Sequence, residues 1–178
     1  MNPVLIQPTL YYQNAYLDFY EEWINSGEEL APSIIKYSPD KFEEMLAHLQ
    51  EAAQEEKTPA GRVPHSTYWL AAEDKILGAV NIRHSLTKEL RNTGGHIGYG
   101  IRPSERRKGY ATELLRQALL KTNELGLKEV LVMCNSDNIG SKKTILHNGG
   151  AAEYDFIEPD ATVINRFWIH RGNCTDQK

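Results

Sequence analysis

The stretch that decides the fold reads Gly98-Tyr-Gly-Ile-Arg-Pro-Ser-Glu-Arg-Arg-Lys-Gly-Tyr-Ala-Thr112. Its start has the character of a strand and its middle is basic and holds a glycine. From Ala111 onward Leu114, Leu115, Ala118 and Leu125 recur on one helical face, up to a stop at Gly126. A strand that passes through such a loop into a helix is anion-binding architecture. The first N–H groups of a helix have no intrahelical partner, and the helix dipole places roughly +0.5 charge at that end. Gly109 lets the backbone come close to a bulky diphosphate, and the small Ala111 keeps the next turn clear. Arg102, Arg106, Arg107 and Lys108 against the single acid Glu105 give the segment a local charge of +3 in a chain whose total is −4. That contrast points to a phosphorylated ligand bound locally. It does not support a nucleic-acid interface, which needs a basic face and interleaved stacking aromatics.

Working outward, residues 96–102 are the last of three strands that also include 67–72 and 76–84, the first two joined by the short polar turn Glu73-Asp74-Lys75. Before them a short strand at 4–6 precedes two helices. The first spaces Tyr16, Phe19, Tyr20, Trp23 and Ile24 at helical intervals. The second carries Phe42, Met45, Leu46, Leu49, Ala52 and Ala53 on one face, with Asp40 and Glu43 as a capping box. After the basic loop and its helix, the uninterrupted run Val130-Leu131-Val132-Met133 predicts a strand buried on both faces. A short helix over 138–148, stopped by Gly149-Gly150, and two strands at 152–157 and 163–170 complete the pattern.

With 178 residues the chain suits one domain, which at this length buries about 70% of its unfolded surface and needs no disulfide staples. The order β-α-α-β-β-β-α-β-α-β-β fits neither a doubly wound sheet nor a helical bundle. It predicts a single α/β (α+β) domain over 1–178, with a core at about 4–171 and a tail at 172–178. Cys134 and Cys174 are too few for a disulfide framework and lack zinc-ligand spacing, so a reducing, cytoplasmic setting is expected. No basic-then-apolar leader and no long apolar window are present, so neither export nor a membrane is expected.

The basic loop is not a phosphate loop of the GxxxxGK[ST] kind, because Lys108 precedes its glycine. Nor is Gly98-Tyr-Gly100 a dinucleotide fingerprint. Arg106-x-x-Gly109-x-Ala111 is instead the [QR]-x-x-G-x-[GA] pattern, and with this placement the chain resembles the GCN5-related N-acetyltransferase (GNAT) superfamily. The resemblance extends over about 4–171. His96-Ile-Gly-Tyr-Gly-Ile-Arg-Pro103 is similar to the family's fourth strand, and Asp137-Asn-Ile-Gly-Ser141 through Asn148-Gly-Gly150 to its helix after the fifth. The blocks Asn81-Ile-Arg-His84 and Gly94-Gly-His-Ile-Gly-Tyr99 resemble a bacterial branch of that superfamily.

The resemblance implies a mixed, mostly antiparallel sheet of six to seven strands flanked by about four helices, with strands four and five splayed. It implies acetyl-CoA as co-substrate, an amine of a small molecule or protein as acceptor, no metal, no nucleic acid and no membrane, and it leaves a homodimer open. The pyrophosphate would rest on backbone amides of Arg106, Arg107, Lys108, Gly109, Tyr110 and Ala111, with Thr112 opening the helix. The pantetheine arm would pair along Tyr99, Gly100 and Ile101, with Asn138 and Ser141 beside it. A strand amide near Tyr99 or Gly100 would polarise the thioester carbonyl.

The chemistry needs an acceptor for the ammonium proton. His96 stands where many relatives carry a glutamate on the fourth strand and is the candidate base; its alternative role is a hydrogen bond within the sheet, and His84 is a second candidate. The family's usual phenol, four residues beyond Ser141, is replaced by Ile145. Tyr99, Tyr110 or Tyr154 would then protonate the thiolate, or solvent suffices because a thiolate leaves without prior protonation, or the chain binds acyl-CoA without turning it over. Cys134 reads as a small buried hydrophobe rather than a nucleophile. The helix acids Glu21, Glu22, Glu28, Glu29, Glu43 and Glu44 read as solvated faces or as an attraction for a cationic acceptor.

Overall fold

The computed structural model describes residues 2–170, so Cys174 and the predicted tail at 172–178 lie outside the described residues. Strand β1 (Val4–Ile6) is followed by helices α1 (Gln13–Ser26) and α2 (Phe42–Glu51), then by strands β2 (His65–Ala72) and β3 (Lys75–Arg83). A short helix α3 (Lys88–Asn92) precedes β4 (Ile97–Ile101), and α4 (Tyr110–Glu124), β5 (Glu129–Asn135) and α5 (Ile139–His147) follow. The chain then runs through β6 (Ala151–Ala152), β7 (Phe156–Ile157) and β8 (Val163–His170). The sheet order is β1-β2-β3-β4-β5-β8-β6, with β7 also on β8. Every pairing is antiparallel except β4 with β5.

The two faces of the sheet bury two cores. On one, Leu114, Leu115, Ala118 and Leu119 of α4 pack with Ile145 of α5 over Val80, Ile82, Ile97, Val130, Val132 and Phe167. On the other, Tyr16, Phe19 and Trp23 of α1 join Phe42, Met45, Leu46 and Leu49 of α2 over Trp69, Ala71 and Ala79. Tyr16 stacks on Trp69 at 4.4 Å between centroids. Each such fully buried side chain contributes roughly 1.5–3 kcal/mol by area, and an aromatic pair about 0.5–1.5 kcal/mol more. The aromatic spacing of α1 therefore builds core rather than a ligand cage.

Three local expectations change. Asp40 and Glu43 form no capping box: Pro39–Lys41 is a 3-10 turn whose own cap is Ser38, accepting the Asp40 N–H, and α2 begins after it. The polar connection after β3 contains α3, capped by the Thr87 hydroxyl accepting the Leu90 N–H at 3.2 Å. The strand expected at 152–157 divides into β6 and β7, because after the Glu153 N–H bonds the Arg166 carbonyl at 2.9 Å the chain leaves the ladder at 154–155. The count accordingly reaches eight strands and five α-helices among the described residues. None of these helices is long and apolar enough to cross a membrane.

Candidate active site

β4 and β5 meet at one register position, Ile97 opposite Val132. Their outer neighbours hold long ladders, five positions between β3 and β4 and seven between β5 and β8. The two halves of the sheet are thus each rigid, and past Ile97 they diverge into a fork. His96 closes its vertex: its main-chain N–H donates to the Leu131 carbonyl at 2.7 Å, and its Nδ1 accepts the Leu131 N–H at 2.9 Å. The ring is 6% exposed. Burial, and then the charges of Arg91 and Arg83, lower its pKa to about 4. An Nδ1 that accepts a hydrogen bond is unprotonated, so the neutral ring carries its proton on Nε2. His84 lies apart from this vertex, its Nε2 2.9 Å from the Ser66 hydroxyl.

Tyr99 stands inside the fork, its phenol 2.8 Å from the Ser141 hydroxyl across on α5. Burial is the main cause that pushes the Tyr99 pKa up to about 12, so the phenol is protonated at neutral pH. Asn138 caps α5, its Oδ1 accepting the Ser141 N–H at 3.0 Å, which fixes Ser141 in the first turn. At the far end of α5 the Asn148 amide donates to the Thr112 carbonyl at 3.2 Å, tying α5 to the first turn of α4. Tyr110 opens α4 itself, and Tyr154 is 89% exposed, so Tyr99 is the phenol of the three that stands in the fork.

On the other face of β4 the segment after α1 crosses closely. A Cβ built on Gly100 would lie 2.1 Å from the Ala31 carbonyl and 2.5 Å from the Trp23 ring, and one on Gly98 would lie 3.4 Å from Pro32. These glycines are what lets a loop lie against the strand at the fork.

The basic loop follows directly. Arg107 (φ 63°) and Gly109 (φ 84°) both take left-handed backbone, a conformation that turns successive N–H groups toward one concavity. No side chain caps α4. Its first-turn N–H groups are therefore free for an anion, and a cavity of about 410 Å³ lies beside them, lined by Asn2, Pro3, Lys108, Gly109, Tyr110, Glu113 and Arg116.

The local charge of +3 is differently spent than the sequence suggests. Arg102 is 3% exposed and is held by Asp18 and Glu22 of α1, and it donates to the Ile76 carbonyl as well. Glu22 also accepts the Ser104 N–H at 2.7 Å and the Ser104 hydroxyl at 3.0 Å. Arg106 forms a two-pronged pair with Glu28 at 2.9 and 2.7 Å, donates to the Ile101 carbonyl at 3.0 Å, and covers the Trp23 ring at 5.6 Å. Lys108 and Lys75 share Glu105. Arg107 alone of the four cations has no ion-pair partner among the described residues. Glu22 of α1 and Glu28 just after it thus anchor the loop to the helix instead of facing an acceptor.

Of the residues singled out in the sequence, Tyr99 and Ser141 meet across the fork and Arg106 to Thr112 form the turn beside it, with Asn138 holding Ser141. Asp18, Trp23, Glu22 and Glu28 join the site without a local signal, since Glu22 lies 80 positions from the arginine it holds. Among the described residues no group of three or more His, Cys, Asp or Glu side chains is placed to hold a metal ion.

The arrangement has counterparts among solved structures. The microcin C7 self-immunity acetyltransferase MccE, in complex with acetyl-CoA and AMP, superposes with a TM-score of 0.70 at 19% identity, over 96% of this chain and 93% of that one. The ribosomal-protein-S5-alanine acetyltransferase of Vibrio fischeri gives 0.73 at 12% identity, over 99% and 97%. RimL, a ribosomal L7/L12 α-N-protein acetyltransferase in complex with coenzyme A, gives 0.66 at 14% identity, over 96% and 94%. At such identities the likeness establishes the fold alone. No curated protein matches the chain. The family described as the acetyltransferase (GNAT) domain matches residues 12–151, and the chain with its forked sheet and uncapped turn belongs to that family.

Proposed function

We propose that the protein transfers an acetyl group from acetyl-CoA to a primary amine of a small molecule or a protein, by direct attack of the amine in a ternary complex. The observation that carries this reading is the fork, open beyond Ile97 and Val132 and adjoining the uncapped N-terminus of α4. The amides of Arg106, Arg107, Lys108, Gly109, Tyr110 and Ala111, with Thr112, hold the pyrophosphate. The open edge of Tyr99, Gly100 and Ile101 pairs with the pantetheine arm, and Asn138 and Ser141 flank it. An amide of that edge polarises the thioester carbonyl. The bound acetyl-CoA of MccE and coenzyme A of RimL support the choice of co-substrate, and RimL's name gives a ribosomal protein as its acceptor.

Tyr99 and Ser141 serve the leaving group. The phenol stays protonated to about pH 12, and with the Ser141 hydroxyl 2.8 Å away it supplies a proton to the departing thiolate. This restores the function left open by Ile145. We assign His96 to closing the fork instead of to proton removal, because its one lone pair is given to Leu131.

Thermal denaturation with and without acetyl-CoA tests the binding. At 100 times Kd the ligand stabilises the fold by about 2.7 kcal/mol, whereas ATP leaves it unchanged. Thiol release from acetyl-CoA in the presence of amines then separates catalyst from binder. No thermal shift with any acyl-CoA overturns the proposal.

A further inference from the structure

With His96 committed to Leu131, the ammonium proton needs another acceptor, and a second group of polar side chains lies across the fork. Asn165 of β8 is 7% exposed and faces Cys134 of β5 in the ladder. Its amide donates to the Asp155 Oδ1 at 3.0 Å, and its own Oδ1 is buried without a partner. Asp155 lies between β6 and β7, at the point where the chain leaves the ladder, and is exposed. Its neighbour Glu153 is neutralised by Arg166 and accepts from Trp168, whereas Asp155 has no ion-pair partner among the described residues. Cys134 stands two positions past Val132 on the β5 arm of the fork, as Tyr99 stands two positions past Ile97 on the β4 arm, and burial is the main cause that raises its thiol pKa. Ser141 holds the Tyr99 phenol. Polar groups therefore line both arms of the fork, with a proton donor at Tyr99 on one and the Asp155 carboxylate, held by Asn165, beside the other.

We propose that Asp155 is the proton acceptor for the incoming amine and that Asn165 is its positioning residue, an assignment resting on the transferase reading above. The acceptor's ammonium gives one proton to the Asp155 carboxylate. The freed nitrogen lone pair bonds to the thioester carbon and the carbon–sulfur bond breaks. The nitrogen sheds its second proton, and the departing sulfur takes one from the Ser141–Tyr99 pair, which that proton replenishes. The products are an amide and a free thiol, and Asp155 returns its proton to solvent through its exposed face. The unpartnered Asn165 Oδ1 marks β8 as a wall built for a polar neighbour, since a buried acceptor without a donor costs about 1–3 kcal/mol.

The test uses the full chain, acetyl-CoA and three defined amines: an alanyl dipeptide amide, a seryl dipeptide amide and spermidine. Asp155→Asn is expected to lower kcat/KM by about 100-fold or more while the acetyl-CoA Kd stays within about twofold. Asp155→Glu is expected to recover part of the rate, and added formate to accelerate Asp155→Gly, an effect no structural role produces. Asn165→Ala is expected to slow kcat about tenfold, and the double variant with Asp155→Asn to be no slower than Asp155→Asn alone. A wild-type enzyme that turns over while Asp155→Asn matches it, or an Asp155→Gly variant deaf to formate, overturns the assignment and leaves the transferase reading intact. A wild-type protein that binds acetyl-CoA but acetylates none of the amines overturns both.

Discussion

The imidazole Nδ1 of His96 accepts the main-chain N–H of Leu131 at 2.9 Å, so a side chain completes a rung of the ladder that the backbone of β4 leaves unmade. Its folded pKa, near 4, lies below the ordinary 6.5, so between these values the unfolded chain binds the extra proton. Stability from His96 is accordingly complete above about pH 6.5 and is lost as pH falls toward 4, by about 3 kcal/mol in all. His96→Asn, followed by urea denaturation at several pH values, is expected to flatten that slope. The pH–rate profile of the same variant is expected to keep its shape; loss of a limb would return His96 to the reaction.

Arg102 is expected to matter more to the fold than to the cofactor. It is buried, whereas Asp18 is 67% exposed and Glu22 24%, so its removal lets water reach both carboxylates but leaves the buried Ile76 carbonyl without its donor and empties a packed site, a loss of about 1–3 kcal/mol. For Glu22, burial works against ionisation, but hydrogen bonds from Arg102 and Ser104 outweigh it and hold the carboxyl below its usual range. The stability it supplies is present above the ordinary carboxylate pKa and is lost as pH falls through the lowered value. Arg102→Ala should therefore lower Tm far more than Arg106→Ala, whose pair with Glu28 is exposed. Equal losses in the two variants would refute the distinction.

These two residues also mark how much the sequence makes legible. The helix and strand periods of α1, α2, α4 and β5 are local, and each side chain reports its own face, so the order of elements and the glycine turn before α4 can be read directly. Gly109 and Asn138 are legible for the same reason, because turn and cap geometry depend on neighbours in the chain. The charge of the loop is not local. Arg102 and Arg106 look like ligands for a polyanion until α1 and the residues just after it pack against them and bring Glu22 and Glu28 within reach. His96 likewise reads as a base from its residue type, and its hydrogen bond from Leu131, 35 positions away, is invisible until the strands are paired. Asp155 and Asn165 carry no motif, and only the pairing of β8 with β5 sets them near Cys134.

Gly109 separates backbone strain from ligand binding. A Cβ there meets nothing within 4 Å, but the φ of 84° costs an L-residue roughly 1–2 kcal/mol. Gly109→Ala should lower Tm by a few degrees and weaken acetyl-CoA modestly. Gly109→Glu adds a carboxylate to the amide concavity and is expected to raise the acetyl-CoA Kd at least 100-fold at the Tm of the alanine variant. Isothermal titration checks both, and an unchanged Kd in the glutamate variant would show that the anion site lies elsewhere.

Gly100 tests whether the loop after α1 must lie against the fork. An alanine methyl would stand 2.1 Å from the Ala31 carbonyl, a backbone atom that cannot swing aside as a side chain does. Overpacking of this kind costs about 1–3 kcal/mol, and relief requires residues 27–37 to lift from β4. Gly100→Ala is expected to leave the acetyl-CoA Kd within a few-fold, since Gly100 offers the pantetheine arm only its backbone, its new methyl points to Ala31 and Trp23, and the amide concavity at Arg107 and Gly109 is untouched, and to raise the acceptor KM because the loop after α1 has moved. Steady-state kinetics at saturating acetyl-CoA distinguish the two. An acceptor KM equal to that of the wild type, with Tm lowered, would mean that the loop contributes packing and takes no part in holding the amine.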